Sequence, residues 1–185
     1  MGDVVRIARA ADAAALHEVA AATFGLACPP GTPLAASDDF IARHLSEANF
    51  ESYLGDANRE LFIAEADGTP VGYTMLVYGE PSDADAAASV TVQPTAELSK
   101  CYVLEEFHGR GVANTLIAAS IEAARTRGAA GIWLGVNQFN PRANRFYEKS
   151  GFVIVGTKKF LVGETWEEDF VRERVISPGS ISEGH

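Results

Sequence analysis

Gly109 and Gly111 stand two residues apart where a strand-like run gives way to a helix-like one. The run before them, E-L-S-K-C-Y-V-L from Glu97 to Leu104, suits a buried strand. The run after them places Val112, Leu116, Ile117, Ile121 and Ala124 at helical spacing, as far as Arg125. Such a junction can hold an anion. The first N–H groups of a helix have no internal partner, and the helix dipole is positive there. Glycine leaves no Cβ between a phosphate and the backbone. The stretch therefore reads either as a cradle for a phosphorylated ligand or as an ordinary tight turn.

Two other phosphate motifs fit poorly. A P-loop needs Lys-Ser/Thr after its second glycine, and none follows Gly111. A dinucleotide fingerprint needs a third glycine, where this chain has Asn114, and an acid on the next strand. The next strand-like run, Gly131 to Val136, carries none. No metal is expected, because His17, His44, His185, Cys28 and Cys101 have no metal-ligand spacing.

The elements that must position this junction can be read on both sides of it. Strands are expected over Val4–Ala8, Leu61–Ala66, Val71–Tyr78, Glu97–Leu104, Ile132–Val136 and Asp169–Ile176. Phe152–Val155 and Lys159–Val162 read as strand material of one bent strand. Asp67-Gly68 is a hairpin signal. Helices are expected over Ala11–Phe24, capped by Asp12, and after a cap at Ser37, carrying Phe40, Ile41, His44 and Leu45. A third, short one holds Phe50, Tyr53 and Leu54. Pro141 to Ser150 reads as a helix with Asn140 as cap, Pro141 first and Gly151 closing it. Cys28 to Pro33 is a loop, and Pro81 to Ser89, rich in Asp, Ala and Ser, reads as a mobile one. The expected fold is α/β (α+β): a single mixed, mostly antiparallel sheet flanked by helices on both faces. It forms one domain over residues 1–176, with a polar tail over 177–185.

Composition narrows the function. At 185 residues and 47% hydrophobic content, the chain can build one real core. A net charge of −10 argues against nucleic acid or an anionic membrane as a partner. The widely spaced cysteines, the lack of a membrane-length apolar run and the lack of a signal-peptide core point to a cytoplasmic protein; a monomer or homodimer is expected.

Two blocks in order carry a family resemblance. H-G-R-G-V-A, His108 to Ala113, resembles the Q/R-x-x-G-x-G/A signature of the GNAT family of N-acetyltransferases. N-P-R-A-N-R-F-Y-E-K-S-G-F, Asn140 to Phe152, is similar to that family's N-x-x-A-x-x-F-Y-x-x-x-G-F block. His108 replaces the usual Gln or Arg, and Ala113 is the permitted alternative to Gly. More narrowly, W-L-G-V at Trp133 to Val136 and the close from Val162 to Arg174 resemble the PaiA-like polyamine acetyltransferases. There Asn137-Gln138-Phe139 and Glu167 depart from the subgroup's residues.

The resemblance implies a GNAT-like acyl-CoA N-acyltransferase fold whose fourth and fifth strands splay, with acetyl-CoA as cosubstrate. Pantetheine would pair with backbone around Cys101, Tyr102 and Val103. The pyrophosphate would meet His108, Gly109, Arg110, Gly111, Val112 and Ala113. Asn140 would contact the pantetheine amide as well as cap its helix. The transfer needs a neutral amine, and Glu97, eleven positions before His108, is the expected base. Tyr147 is the expected acid for the departing thiolate. No histidine neighbours Cys101 in its strand, which favours a packing role over covalent catalysis. Arg110 and Lys149 have the reach for phosphates, and Lys149 reads as solvated charge. The implied acceptor is a small primary amine, with a polyamine the first candidate. The net charge and the acidic run Glu164, Glu167, Glu168 and Asp169, read as an entrance, agree with a cation. A non-catalytic acyl-CoA sensor on the same fold is the second reading, and an acetyltransferase for peptide or antibiotic amines a variant of the first.

Overall fold

A computed structural model describes residues 3–176, so the tail expected from Ser177 lies outside the described residues. Thirteen elements follow in order: β1 (Val4–Ile7), α1 (Ala13–Ala27), α2 (Leu34–His44), α3 (Glu47–Gly55), β2 (Arg59–Ala66), β3 (Thr69–Tyr78), α4 (Ala84–Ser89), β4 (Thr95–Val103), α5 (Val112–Thr126), β5 (Gly131–Asn137), α6 (Pro141–Lys149), β6 (Val153–Val162) and β7 (Thr165–Val175). The seven strands form one sheet in the order β1-β2-β3-β4-β5-β7-β6. Every neighbouring pair is antiparallel except β4 and β5. This is the mixed, mostly antiparallel sheet expected.

Strand alternation sends apolar residues to both faces, so each face carries its own helices and core. On one face Ala96, Leu98, Ile132, Leu134 and Val136 pack with Leu116, Ile117 and Ile121 of α5. On the other, Leu61, Ile63, Tyr73 and Met75 pack with Leu16, Val19, Ala20 and Phe24 of α1 and Phe50 of α3. A smaller cluster on that second face joins Trp133 and Val171 to Ala86 of α4.

Several local expectations need correction. Asp12 does not cap α1; its carboxylate takes two Arg6 hydrogen bonds at 2.8 Å and the Arg9 N–H at 2.6 Å. A paired carboxylate is no longer free to cap. Ser37 lies inside α2, which begins just after Pro33, while Ser46 caps α3 by accepting from Asn49 N. Pro81–Ser89 is not loop throughout. Asp83 caps the helix Ala84–Ser89, where alanine propensity outweighs the loop-like composition. Phe152 lies just before its strand, while the one bent strand expected is found: β6 runs unbroken over Val153–Val162 with a register irregularity between Ile154 and Gly156. Among the described residues no helix is long and apolar enough to cross a membrane.

Candidate active site

The parallel strands β4 and β5 are paired only over Thr95–Glu97 and Gly131–Trp133. Beyond that they part. β5 continues against β7 to Asn137, and β4 continues against β3 to Val103. A bulge helps turn β4 away: Met75 opposes Lys100 and Leu76 opposes Leu98, leaving Ser99 as the extra residue. Glu97 is thus the last β4 residue bonded to β5, at the apex of a V.

A cleft of about 490 Å³ runs through the V. Its walls bring together all the sequence-predicted residues but one: Glu97, Cys101, Tyr102, Val103, His108, Gly109, Gly111, Val112, Ala113, Asn140 and Tyr147. Arg110 is the exception. It is exposed, with its guanidinium 5.1 Å over the Phe107 ring.

The end of the cleft at α5 is backbone. Gly109 and Gly111 have φ of 77° and 82°, the left-handed region that glycine enters without a Cβ penalty. The first hydrogen bond onto α5 runs from Thr115 N to Gly111 O. The N–H groups of Gly109 to Asn114 therefore find no backbone acceptor among the described residues. A Cβ at either glycine would meet nothing within 4 Å, so the space above the turn is open to a phosphate. His108 ties this turn to the strand: its Nε2–H donates to Val103 O at 2.7 Å. Its Nδ1 is buried with no partner among the described residues. Asn140 caps α6 by accepting from Ala143 N at 3.1 Å. The helix it starts carries Tyr147, whose ring packs on Phe146 and Phe152. The Tyr147 hydroxyl interacts with the Cys101 thiol, and burial pushes both groups up, Cys101 to about 12. Both stay protonated at neutral pH, which suits Tyr147 as a proton donor and leaves Cys101 a poor nucleophile.

The other end is made of side chains. Glu97, Trp133 and Gly135 lie on one face by the β4–β5 register and strand alternation. Lys158 and Asp169 join them across β6 and β7. Burial raises the Glu97 carboxyl above its ordinary range, against Lys158 first and then Lys100. The half-buried Lys100 is pulled down to about 8 by burial, with its Nζ 5.9 Å from the Tyr53 ring centre. Asp169 is only 7% exposed and is pushed up to about 6 by burial, with Lys158 opposing. Phe24, Phe40 and Phe160 form an aromatic wall: Phe24 and Phe40 stack at 4.5 Å, and Phe160 meets Phe40 at 5.6 Å.

Sequence reasoning missed Lys100 and Lys158 and misjudged the acidic run. Glu164 and Glu168 are exposed, Glu167 does not line the cleft, and Asp169 alone of the four does. Period-two alternation separates Asp169 from Glu168, and that signal was present in the sequence. Among the described residues no group of three or more His, Cys, Asp or Glu could hold a metal ion.

Known proteins resemble this chain in sequence and in fold. The model of the Acetyltransferase (GNAT) family matches residues 28–152. An uncharacterised N-acetyltransferase of Mycobacterium tuberculosis is 43% identical over 165 residues, covering 89% of this chain and 98% of that one. Streptothricin acetyltransferase of Streptomyces lavendulae is 27% identical over 114 residues, 61% of this chain and 54% of that one. The crystal structure of PaiA N-acetyltransferase from Thermoplasma acidophilum, in complex with coenzyme A, superposes with a TM-score of 0.75 at 19% identity, covering 95% of this chain and all of that one. With a splayed β4–β5 pair leading to a glycine-flanked helix N-terminus, and with these relatives, the chain belongs to the GNAT family of acetyl-CoA-dependent N-acetyltransferases.

Proposed function

We propose that the acceptor is a small cationic primary amine, with a polyamine the first candidate, and that Glu97 and Tyr147 handle the protons. The observation that carries this reading is the position of Glu97 at the apex of the V, half-buried on the cleft wall. Acetyl-CoA supplies an acetyl group activated as a thioester. Its pyrophosphate fits the N–H groups of Gly109 to Ala113, and its pantetheine fits the freed edge of β4 at Cys101 to Val103, with Asn140 beside it. Glu97 takes the proton of the incoming ammonium, directly or through a water. A carboxylate with a raised pKa is better matched to an amine proton than an ordinary one. Tyr147 holds its proton and offers it to the departing sulfur. The remainder of the rate comes from positioning the two reactants in one cleft. One N-acetyltransferase domain over residues 1–176 does this work, a reading supported by the single sheet that all three cores share.

An antibiotic amine is a second reading, favoured by the partial likeness to streptothricin acetyltransferase. Thiol release from acetyl-CoA with spermidine, spermine, lysine peptides and a streptothricin separates the two. Turnover of spermidine or spermine supports the first reading, and turnover of streptothricin alone the second. Tyr147→Phe is expected to lower kcat roughly tenfold or more with a smaller change in the KM for acetyl-CoA. An unchanged kcat, with chemistry rate-limiting, reduces Tyr147 to packing.

A further inference from the structure

The side-chain end of the cleft holds one buried charge that the transfer chemistry does not use. Asp169 is on β7, opposite Lys158 of β6 and Asn137 of β5. It is 7% exposed, lines the cleft, and its Oδ1 has no hydrogen-bond partner among the described residues. No ion pair to it falls within 4.0 Å among the described residues, Lys158 included. A buried carboxylate oxygen left without a partner is costly, and one that lines a cleft can recover that cost from a group bound there.

Its surroundings say which ligand. Gly135 is where the side chains converge. A Cβ there would lie 2.6 Å from Lys158 Cε and 3.3 Å from Asp169 Oδ2. The bare glycine therefore leaves room for Asp169 and Lys158 to lean over β5. Two residues back on the same face is Trp133, the β5 partner of Glu97. Asp169 pairs with Asn137 further along, but its Oδ2 leans back over Gly135, so the two carboxyl groups flank a platform about two strand residues, or about 7 Å, long and one strand spacing wide. The Lys158 ammonium lies 5.3 Å from the Phe160 ring centre, and it is the leading favourable charge for both carboxyl groups. It bonds neither within 4.0 Å among the described residues, so it partly balances both without satisfying either. The wall beside them is aromatic, suited to methylenes and to a cation over a ring face.

We propose that Asp169 is the specificity-determining anchor for a second ammonium on the acceptor, so that Glu97 and Asp169 together select a diamine. This rests on the small-cationic-amine reading above and goes further, because it fixes the number of nitrogens and their spacing. The two nitrogens are separated by about three or four carbons, the length that spans the platform. The distal ammonium takes the place of Lys158 beside Asp169 and satisfies Oδ1. A neutral or singly charged amine leaves Asp169 unsatisfied and is discriminated against, as sites with unpaired buried polar groups do.

The test compares 1,4-diaminobutane with n-butylamine, which has the same carbon chain and one nitrogen. Wild-type kcat/KM should favour the diamine by tenfold or more. Asp169→Asn should collapse that ratio toward one, mainly through the diamine KM, with the acetyl-CoA KM as the control for folding. Lys158→Met removes the competing ammonium and should lower the diamine KM. Equal loss for both amines in Asp169→Asn would show a merely structural residue and overturn the proposal. A wild-type ratio near one overturns it as well, while leaving the cationic-amine reading intact. Turnover of neither amine, alongside good turnover of a streptothricin, overturns both. If Asp169→Asn does not fold, the wild-type ratio and the Lys158→Met shift decide the question on their own.

Discussion

The two ends of the cleft are built from different materials. The end at α5 is backbone: two left-handed glycines, a run of N–H groups without acceptors and the freed edge of β4. The end at β6 and β7 is side chain: Glu97, Lys100, Lys158, Asp169 and three phenylalanines, contributed by α1, α2, β4, β6 and β7. A backbone site suits a cosubstrate that every reaction of the family shares, because point substitution alters it only where a Cβ intrudes. A side-chain site can be retuned one residue at a time without disturbing the fold. The contrast explains how one fold holds one cosubstrate and many acceptors. It also predicts where mutations act: chemistry and selectivity fail by side-chain deletion, cosubstrate binding by side-chain addition.

The largest effect is expected at the apex. Glu97→Gln should lower kcat near neutral pH by roughly 100-fold or more, the usual worth of a positioned base. Activity should return in part at high pH, where more of the amine is already neutral. In the wild type, burial raises the Glu97 pKa, so activity should fall off on the acid side above the ordinary carboxylate range. A pH–rate profile of both proteins checks this, and a Glu97→Gln profile parallel to the wild type would move the base elsewhere.

Gly111→Val comes next, and it adds atoms instead of removing them. The residue would have to hold φ near 82°, at a cost of about 1–3 kcal/mol for a branched side chain. Its Cβ meets no protein atom within 4 Å, so packing alone gives it no further penalty. Its side chain projects into the space assigned to phosphate. The acetyl-CoA KM should therefore rise roughly 100-fold, well beyond what the loss of stability explains. Paired melting curves and KM values separate the two costs, and a variant that binds CoA normally would displace the cradle.

Asp169 allows the contrast to be read in stability. Its carboxyl titrates at about 6 in the folded protein, against an ordinary 3.8. A raised carboxyl pKa means the folded state holds its proton longer than the unfolded state. Its contribution to stability is therefore full below about pH 4 and is lost as pH rises through about 6. At neutral pH the ionised group costs about 3 kcal/mol. Asp169→Asn should accordingly raise Tm by roughly 6–12 °C at pH 7, and the gain should vanish near pH 4. A Tm lowered at pH 7 would mean that Lys158 more than compensates the buried charge.

The same contrast decides how much could be read from the chain. The glycine turn at the start of α5 was legible because its parts are contiguous: Gly109 and Gly111 with the periodic run from Val112. Asn140 and Pro141 announced α6 for the same reason, and the two blocks together carried the family. Apart from Glu97, which its spacing to His108 singled out, the side-chain end was not legible, since strand register across β4, β5, β7 and β6 brings Glu97, Gly135, Asp169 and Lys158 together. Nothing near Lys158 in sequence marks it. The run Glu164 to Asp169 drew attention by charge alone; alternation turns Glu168 to the face opposite Asp169, and Glu167, on the same face, lies outside the cleft. α4 was hidden by composition, because Asp, Ala and Ser serve equally as loop residues and as a capped alanine helix.

The smallest effect is the sharpest test of the backbone end. Arg110 sits between the two glycines, and its charge makes it the obvious phosphate ligand in sequence. The structure turns it outward. It is exposed, it is absent from the cleft wall, and its guanidinium lies over Phe107, a contact worth about 0.5–1 kcal/mol at an exposed site. Long-range attraction to a phosphate survives, but an exposed charge acts through water and is screened by salt. Arg110→Ala should therefore raise the acetyl-CoA KM by only about threefold, under about 1 kcal/mol, and leave kcat unchanged. That small effect should disappear in high salt, where the Debye length is about 3 Å. On the proposal that the acceptor-free N–H groups of Gly109 to Asn114 hold the pyrophosphate, Arg110→Lys should behave like the wild type. A tenfold or greater loss in Arg110→Ala that persists in high salt would mean the guanidinium swings inward to grip phosphate. The cosubstrate end would then be a side-chain site like its neighbour, and the contrast between the two ends would fail.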